Sequence, residues 1–127
     1  MNTMNTTSPG QVVTGFVATF ASKDPARLAP FLAPGVEFEA YGERPVVGRD
    51  AVLMTWGGVF ANFERVEFST LHQAVTGDVV LEEQVHGLAL PGRHLAPIRN
   101  VAVYRVRDGQ IVEWRDYTDS QHARTLL

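Results

Sequence analysis

Between residues 65 and 118 the chain alternates apolar and polar side chains in four consecutive runs, at about 65–75, 79–90, 97–107 and 110–118. They are joined by turns at Gly77-Asp78, Pro91-Gly92 and Asp108-Gly109. Period-two runs joined by short glycine turns are hairpin-linked antiparallel strands. No helical segment intervenes, so the repeated strand-helix-strand units of a doubly wound parallel sheet are excluded and the class is α+β.

The first half of the chain supplies the helices. Ser8, Pro9 and Gln11 have the capping-box spacing with proline at the first helical position, and Val12, Val13, Phe16, Val17 and Phe20 recur at helical period, which predicts a helix over about 9–22. Asp24-Pro25 repeats the signal for a short second helix with Leu28, Phe31 and Leu32 on one stripe, ended by Pro34-Gly35. From Val36 the period becomes two: Val36, Phe38 and Ala40 share one face and Glu37, Glu39 and Tyr41 the other. Val46-Val47 is read as a short return strand. Gly48-Arg49-Asp50 then opens a third helix bearing Val52, Leu53, Trp56, Val59, Phe60 and Phe63. Gly57-Gly58 inside it costs about 1 kcal/mol per glycine unless close packing under a sheet requires it. A capped turn from Asp119 to Leu126 is expected to be helical.

With 127 residues, 45% of them hydrophobic, the chain is one domain, residues 1–127, whose first eight residues read as a frayed polar tail. Asn5-Thr6-Thr7 matches a glycosylation acceptor, but no secretory signal or membrane span accompanies it, and cytoplasmic residence is expected. Fourteen acidic against eleven basic side chains leave a net charge of -3, without the basic footprint of a nucleic-acid binder. Zero cysteines exclude disulfides, thiolate nucleophiles and cysteine-held metals. There is no phosphate-binding glycine loop and no Gly-x-Ser-x-Gly elbow, and His72, His86, His94 and His122 are scattered, so no metal or other cofactor is expected.

Polar residues on faces that ought to be dry carry the functional signal. In the last strand Val112, Trp114, Asp116 and Thr118 share a face, which desolvates Asp116 and raises its pKa toward the range of a proton-transfer group. The face of Ile98, Ala102 and Tyr104 also carries Asn100, and Glu82, Gln84, His86 and Leu88 share a face opposite Leu81, Val85 and Ala89. Alternation alone leaves open which of these last two faces is inner. If it is that of Gln84 and His86, then His86, Asn100 and Asp116 converge.

The segments VEFEAYG, VVGRDAV and VYRVRDGQIVEWRDYTD resemble the nuclear transport factor 2-like superfamily over nearly the whole chain. The RDGxIVxWxDxxD ending resembles its SnoaL-like polyketide cyclase, limonene epoxide hydrolase and ketosteroid isomerase-like branches. That resemblance implies a cone-shaped fold with a bent sheet wrapped over helices around an apolar pocket. It also implies that Gln84 and His86 point inward. The epoxide hydrolases' final-strand aspartate falls on Asp116, but their Arg-x-Asp pair falls on Gln84 and His86, and their water-positioning Tyr and Asn fall on Phe38 and Ala40, which disfavours that mechanism. Helix one has Phe16 and Phe20 but no tyrosine, which puts steroid isomerisation in doubt. The SnoaL-like pattern, an acid/base aspartate with polar partners on neighbouring strands, fits better.

The expected function is therefore cofactor-independent acid/base chemistry on a small apolar carbonyl compound, by cyclisation, isomerisation or dehydration. Asp116 and His86 shuttle the proton, and Gln84 and Asn100 donate to a developing enolate oxygen, a contact whose loss costs about 10²–10³ in rate. Phe38, Trp56, Phe60 and Trp114 are the expected apolar walls, with Leu88, Ile98 and Thr118 beside them. The alternatives are a binding protein for an apolar ligand without turnover, and an epoxide hydrolase-like enzyme with a changed catalytic set. With that face inward, Leu71, Val75, Leu81, Val85, Val101, Val103 and Ile111 point outward together, and a homodimer through the outer sheet face, rimmed by Arg99, Arg105, Glu83 and Glu113, is expected to cover them.

Overall fold

The computed structural model describes residues 7–127. The glycosylation match at Asn5-Thr6 and most of the expected tail lie outside the described residues. Ser8 does not belong to a tail: its hydroxyl accepts from the Gln11 amide at 3.2 Å while Gln11 Oε1 accepts from the Ser8 amide at 2.9 Å, and this box opens α1, Pro9–Ala18. The helix ends earlier than its apolar pattern. Residues Phe20–Ser22 form a 3-10 turn closed by Lys23 in the left-handed region at φ 56°, and Asp24 then caps α2, Pro25–Leu28, by accepting from the Ala26 amide at 3.0 Å.

Pro34-Gly35 does not end a helix but lies inside β1, Leu32–Ala40. Leu32 is fully buried and the backbone is already extended there. The register of β1 against its parallel neighbour slips between Leu32 and Glu37, and the exposed Pro34, which has no N–H to give, falls in that gap. β2, Val46–Val47, returns antiparallel along β1, and α3, Arg49–Asn62, follows. A Cβ on Gly57 would lie 3.4 Å from Pro25 Cγ of α2, and one on Gly58 would meet nothing within 4 Å, so these glycines do not admit the sheet.

The four runs become β3 (Arg65–Thr76), β4 (Val79–Ala89), β5 (Ala96–Arg107) and β6 (Gln110–Thr118), and α4 (Ser120–Leu126) is capped by Asp119. The sheet order is β2-β1-β6-β5-β4-β3, antiparallel except for β1 beside β6. The core, centred on Phe16, Phe20, Leu28, Leu32, Phe60, Ile111 and Trp114, lies between the helices and the sheet's inner face.

Two bulges overturn parts of the alternation. Arg105 pairs with Glu113 but Val106 pairs with Ile111, so Val112 is an extra residue. Ile111 therefore turns into the core at 0% exposure, and Val112 leaves the face of Trp114 and Asp116. In β3, Thr70 pairs with Gln84 and His72 with Glu83, leaving Leu71 as the extra residue. Val75 consequently pairs with buried Val80 and faces α1, where a Cβ on Gly10 would meet its Cγ2 at 3.2 Å. Neither Ile111 nor Val75 belongs to the outer face.

Candidate functional site

The inner faces of β4, β5 and β6 carry a strip of buried polar side chains: Glu82, Gln84 and His86 from β4, Asn100 from β5 and Asp116 from β6. Cross-strand register puts them together. Gln84 pairs with Asn100, Asn100 with Thr118, and Ala102 with Asp116. Buried polar groups must find partners in one another, because an unmet one costs about 1–3 kcal/mol.

The wiring starts at the Glu82 carboxylate, which accepts from Thr70 Oγ1 at 2.8 Å, Gln73 Nε2 at 2.8 Å and Gln84 Nε2 at 2.9 Å. The second Gln84 amide hydrogen goes to the Tyr104 hydroxyl at 3.1 Å. Gln84 Oε1 is left facing His86 Nε2 at 2.8 Å and Asn100 Nδ2 at 3.0 Å. An amide oxygen only accepts, so His86 carries its hydrogen on Nε2 and presents Nδ1 bare. The other Asn100 amide hydrogen goes to Asp116 Oδ1 at 3.1 Å, and Asn100 Oδ1 accepts from Thr118 Oγ1 at 2.7 Å. Asn100 Nδ2 also lies 3.3 Å from His86 Nε2, a contact between two hydrogen-bearing nitrogens.

Asp116 Oδ1 accepts a second bond, from Trp114 Nε1 at 3.1 Å. Among the described residues Oδ2 has no such partner. Burial pushes the Asp116 carboxyl up to about 6, against the two hydrogen bonds, from Asn100 and Trp114, that pull it down. Burial alone holds His86 down at about 3, with its ring stacked 3.7 Å from that of Phe68 at 3°.

Asp116 and His86 share the wall of a cavity of about 420 Å³. Phe38 and Ala40 of β1, Trp56 and Val59 of α3, Leu88 of β4 and Ile98 of β5 make most of it apolar. Thr118 lines it too, and Ser120, Ala123, Arg124 and Leu127 of the C-terminal segment close one side. Phe60 and Trp114 do not line it: Phe60 is packed against Phe20, and Trp114 lies behind Trp56 in a stack 5.2 Å apart at 14°. Gln84 and Asn100 are likewise behind the wall, and their amide hydrogens are spent on Glu82, Tyr104, Gln84 and Asp116. They hold no hydrogen for an enolate oxygen, so the expected donor role for this pair gives way to one of orienting His86 and Asp116.

Alternation revealed Glu82 on the same face as Gln84 and His86, but the bulge at Leu71 concealed Gln73, and the α4 wall depends on how the C-terminal helix docks. That docking uses Arg93 Nη2 on the Leu127 carbonyl at 3.2 Å and His94 Nε2 near the Leu126 carbonyl at 2.9 Å. Among the described residues no three His, Asp or Glu side chains cluster as metal ligands, and no helix is long and apolar enough to cross a membrane.

The two shifted groups act oppositely on stability. His86 has a depressed folded pKa, so its contribution is present above 6.5 and lost as pH falls through about 3. Asp116 has a raised one, so its contribution is present below 3.8 and lost as pH rises through about 6. Between pH 7 and pH 4 the His86 share is about 3 kcal/mol. Denaturant titrations should therefore show His86→Gln, which cannot take up the proton, losing about that much less than wild type over this interval.

The open six-stranded mixed sheet and the four helices of the described residues define a nuclear transport factor 2/ketosteroid isomerase-like fold. A candidate SnoaL-like polyketide cyclase from Jannaschia sp. CCS1 superposes with a TM-score of 0.84 at 17% identity, over 99% of this chain and 96% of that one. An LEH-like epoxide hydrolase from M. tuberculosis gives 0.81 at 21% identity, over 94% and 88%. A ketosteroid isomerase-like protein from Catenulispora acidiphila, in complex with trimethylamine, gives 0.78 at 22% identity, over 87% and 86%. The SnoaL-like domain model matches residues 13–114, and the chain belongs to that family.

Proposed function

We propose that the protein is a cofactor-independent acid/base enzyme acting on a small apolar carbonyl compound, of polyketide cyclase, isomerase or dehydratase type. One observation carries this reading: the buried Asp116 carboxyl, which burial pushes up to about 6, stands with His86 in the wall of a largely apolar cavity, its Oδ1 held by Asn100 and Trp114. In the proposed step Asp116 Oδ2 takes a proton from the carbon next to the carbonyl, and the C–H electron pair moves into the enolate. The proton then returns to another carbon, or leaves with a hydroxyl as water. In a cyclisation the enolate carbon instead attacks a second carbonyl, whose oxygen takes the proton. Neutral His86 accepts a hydrogen bond at Nδ1 from a substrate hydroxyl.

The self-satisfied pairing of Gln84 and Asn100 favours a second reading, a ligand-binding protein without turnover. Hydrogen–deuterium exchange at the α-carbons of small cyclic ketones separates the two. The enzyme reading expects exchange that rises with pH through about 6 as Asp116 ionises, whereas saturable binding with no exchange at any pH supports the binder.

We further propose a homodimer through the outer sheet face. Leu81 is 40% exposed, Val101 43% and Tyr117 42%, with half-buried Val85 and Val103 between them. Three of the four expected rim residues are already paired within the chain: Arg105 with Asp78 at 2.8 Å and Glu113 at 3.4 Å, and Glu83 with His72 at 2.8 Å. They suit a rim better than interface ion pairs. Val101→Glu with Val103→Lys should yield monomer in sedimentation, since an unpaired interface charge costs several kcal/mol. A monomeric wild type at high concentration contradicts the dimer.

A further inference from the structure

We propose that the bound molecule extends out of the apolar cavity into a second, polar groove beside Tyr41 and Tyr117, and that the portion held there is a neutral, hydroxyl-bearing ring of the glycosyl kind. This names a substrate class for the acid/base reading above and rests on it. The groove, of about 580 Å³, is lined by Tyr41, Tyr117, Asp119 and Gln121 together with Thr118 and Ser120, and the last two also line the cavity that holds Asp116. The two spaces therefore meet at one threshold. A molecule whose carbonyl end reaches Asp116 has its far end delivered to the groove.

Strand register builds the aromatic side of the groove. Ala40 of β1 lies opposite Asp116 of β6, and the Tyr41 amide donates to the Asp116 carbonyl at 2.9 Å, so Tyr41 and Tyr117 stand side by side one residue beyond the candidate base. Their rings lie 5.4 Å apart at 33°, with Tyr41 69% and Tyr117 42% exposed. Tyr117 also borders the proposed dimer face, whose other residues are on β4 and β5, and the groove opens on its β1 side. The rest of the lining selects the chemistry. No lysine, arginine or histidine lines the groove, and the Asp119 carboxylate, which caps α4 by accepting from the His122 amide at 3.0 Å, repels an anion. A hydrocarbon extension would strip water from Asp119, Ser120 and Gln121 and return no hydrogen bond. A sugar ring matches both halves of the lining, because its C–H face packs on an aromatic ring while its hydroxyls donate and accept. Asp119 can accept from them. The Ser120 hydroxyl and the Gln121 amide can do both, and no hydrogen bond among the described residues occupies either side chain.

The methyl ether and the β-glucoside of para-hydroxyacetophenone, which carry the same ketone without and with a sugar, test the assignment. In calorimetry the glucoside should bind about tenfold more tightly than the methyl ether, and the phenyl ether should gain nothing comparable. Tyr41→Ala should bring that preference to near unity and Gln121→Ala should reduce it severalfold, both leaving the affinity for the methyl ether unchanged. Both side chains are exposed, and either variant alone suffices if the other fails to fold. Equal affinity for glucoside and methyl ether, binding of neither, a phenyl ether preferred to the glucoside, or a preference retained in the variants would each overturn the proposal. Failure of the enzyme reading is separately visible through deuterium exchange into cyclohexanone, which neither variant should alter. A glucoside preference without exchange leaves the groove in place and removes the catalysis; exchange without the preference does the reverse.

Discussion

Replacing Asp116 by Asn should lower turnover by about 10²–10⁴-fold while making the folded protein more stable at pH 8. Both effects have one origin. The carboxyl is buried and its pKa is raised from 3.8 to about 6, so at pH 8 the folded state holds a desolvated charge that the unfolded state would hold more cheaply. By linkage that costs about 3 kcal/mol at this pH and nothing below pH 3.8. Asparagine keeps an oxygen to accept from Asn100 and Trp114 but has no charge to desolvate and no site for the proton. Denaturant titrations at pH 8 and pH 3.5 should therefore show a gain at the higher pH that vanishes at the lower. Undiminished activity in a folded variant would remove Asp116 from the proposed chemistry.

Glu82→Leu should be the most damaging substitution in the polar strip, lowering stability by about 3–5 kcal/mol. Thr70, Gln73 and Gln84 all donate to this carboxylate, and a leucine side chain leaves three hydrogens without an acceptor at a position 1% exposed. Glu82→Gln keeps one oxygen for Thr70 and Gln84 and forfeits the acceptor at Gln73, so its cost should be about 1 kcal/mol. The more telling readout is at His86. Glu82 fixes which end of the Gln84 amide faces the imidazole, and that end decides which ring nitrogen carries the hydrogen. In the leucine variant the Gln84 amide is released to reverse, and ¹⁵N imidazole shifts should show the Nε2–H form of wild type giving way to a tautomer mixture. An unchanged spectrum would show that Gln84 is oriented by Tyr104 and Asn100 without help from Glu82.

The strands and caps were legible because they depend on local chemistry. The Ser8 box, the Asp24-Pro25 cap, the four alternating runs and the Asp119 cap each act over a few residues, and each stands within a residue or two of its expected place. Alternation misleads where one extra residue reverses a face. Val112 and Leu71 are ordinary strand residues by type, and nothing local announces that the partner strand skips them. Ile111 and Val75 were misplaced for that reason alone.

By itself the sequence determined the α+β class, the adjacency of β4, β5 and β6, and the sharing of one β4 face by Gln84 and His86, because hairpin order and a period of two follow from backbone geometry. That Asn100 and Asp116 lie on that same side is decided by cross-strand register. Only the tertiary structure decided which polar groups meet solvent space and which are used up. Hydrogen-bond capacity is consumed across strands: Gln84 and Asn100 look like donors in isolation and are spent once Glu82, Tyr104 and Asp116 surround them. Of the four expected apolar walls, Phe38 and Trp56 line the cavity while Phe60 and Trp114 lie behind it, because the docking of α3 on the sheet, not the spacing of either, sets which rings border the open space.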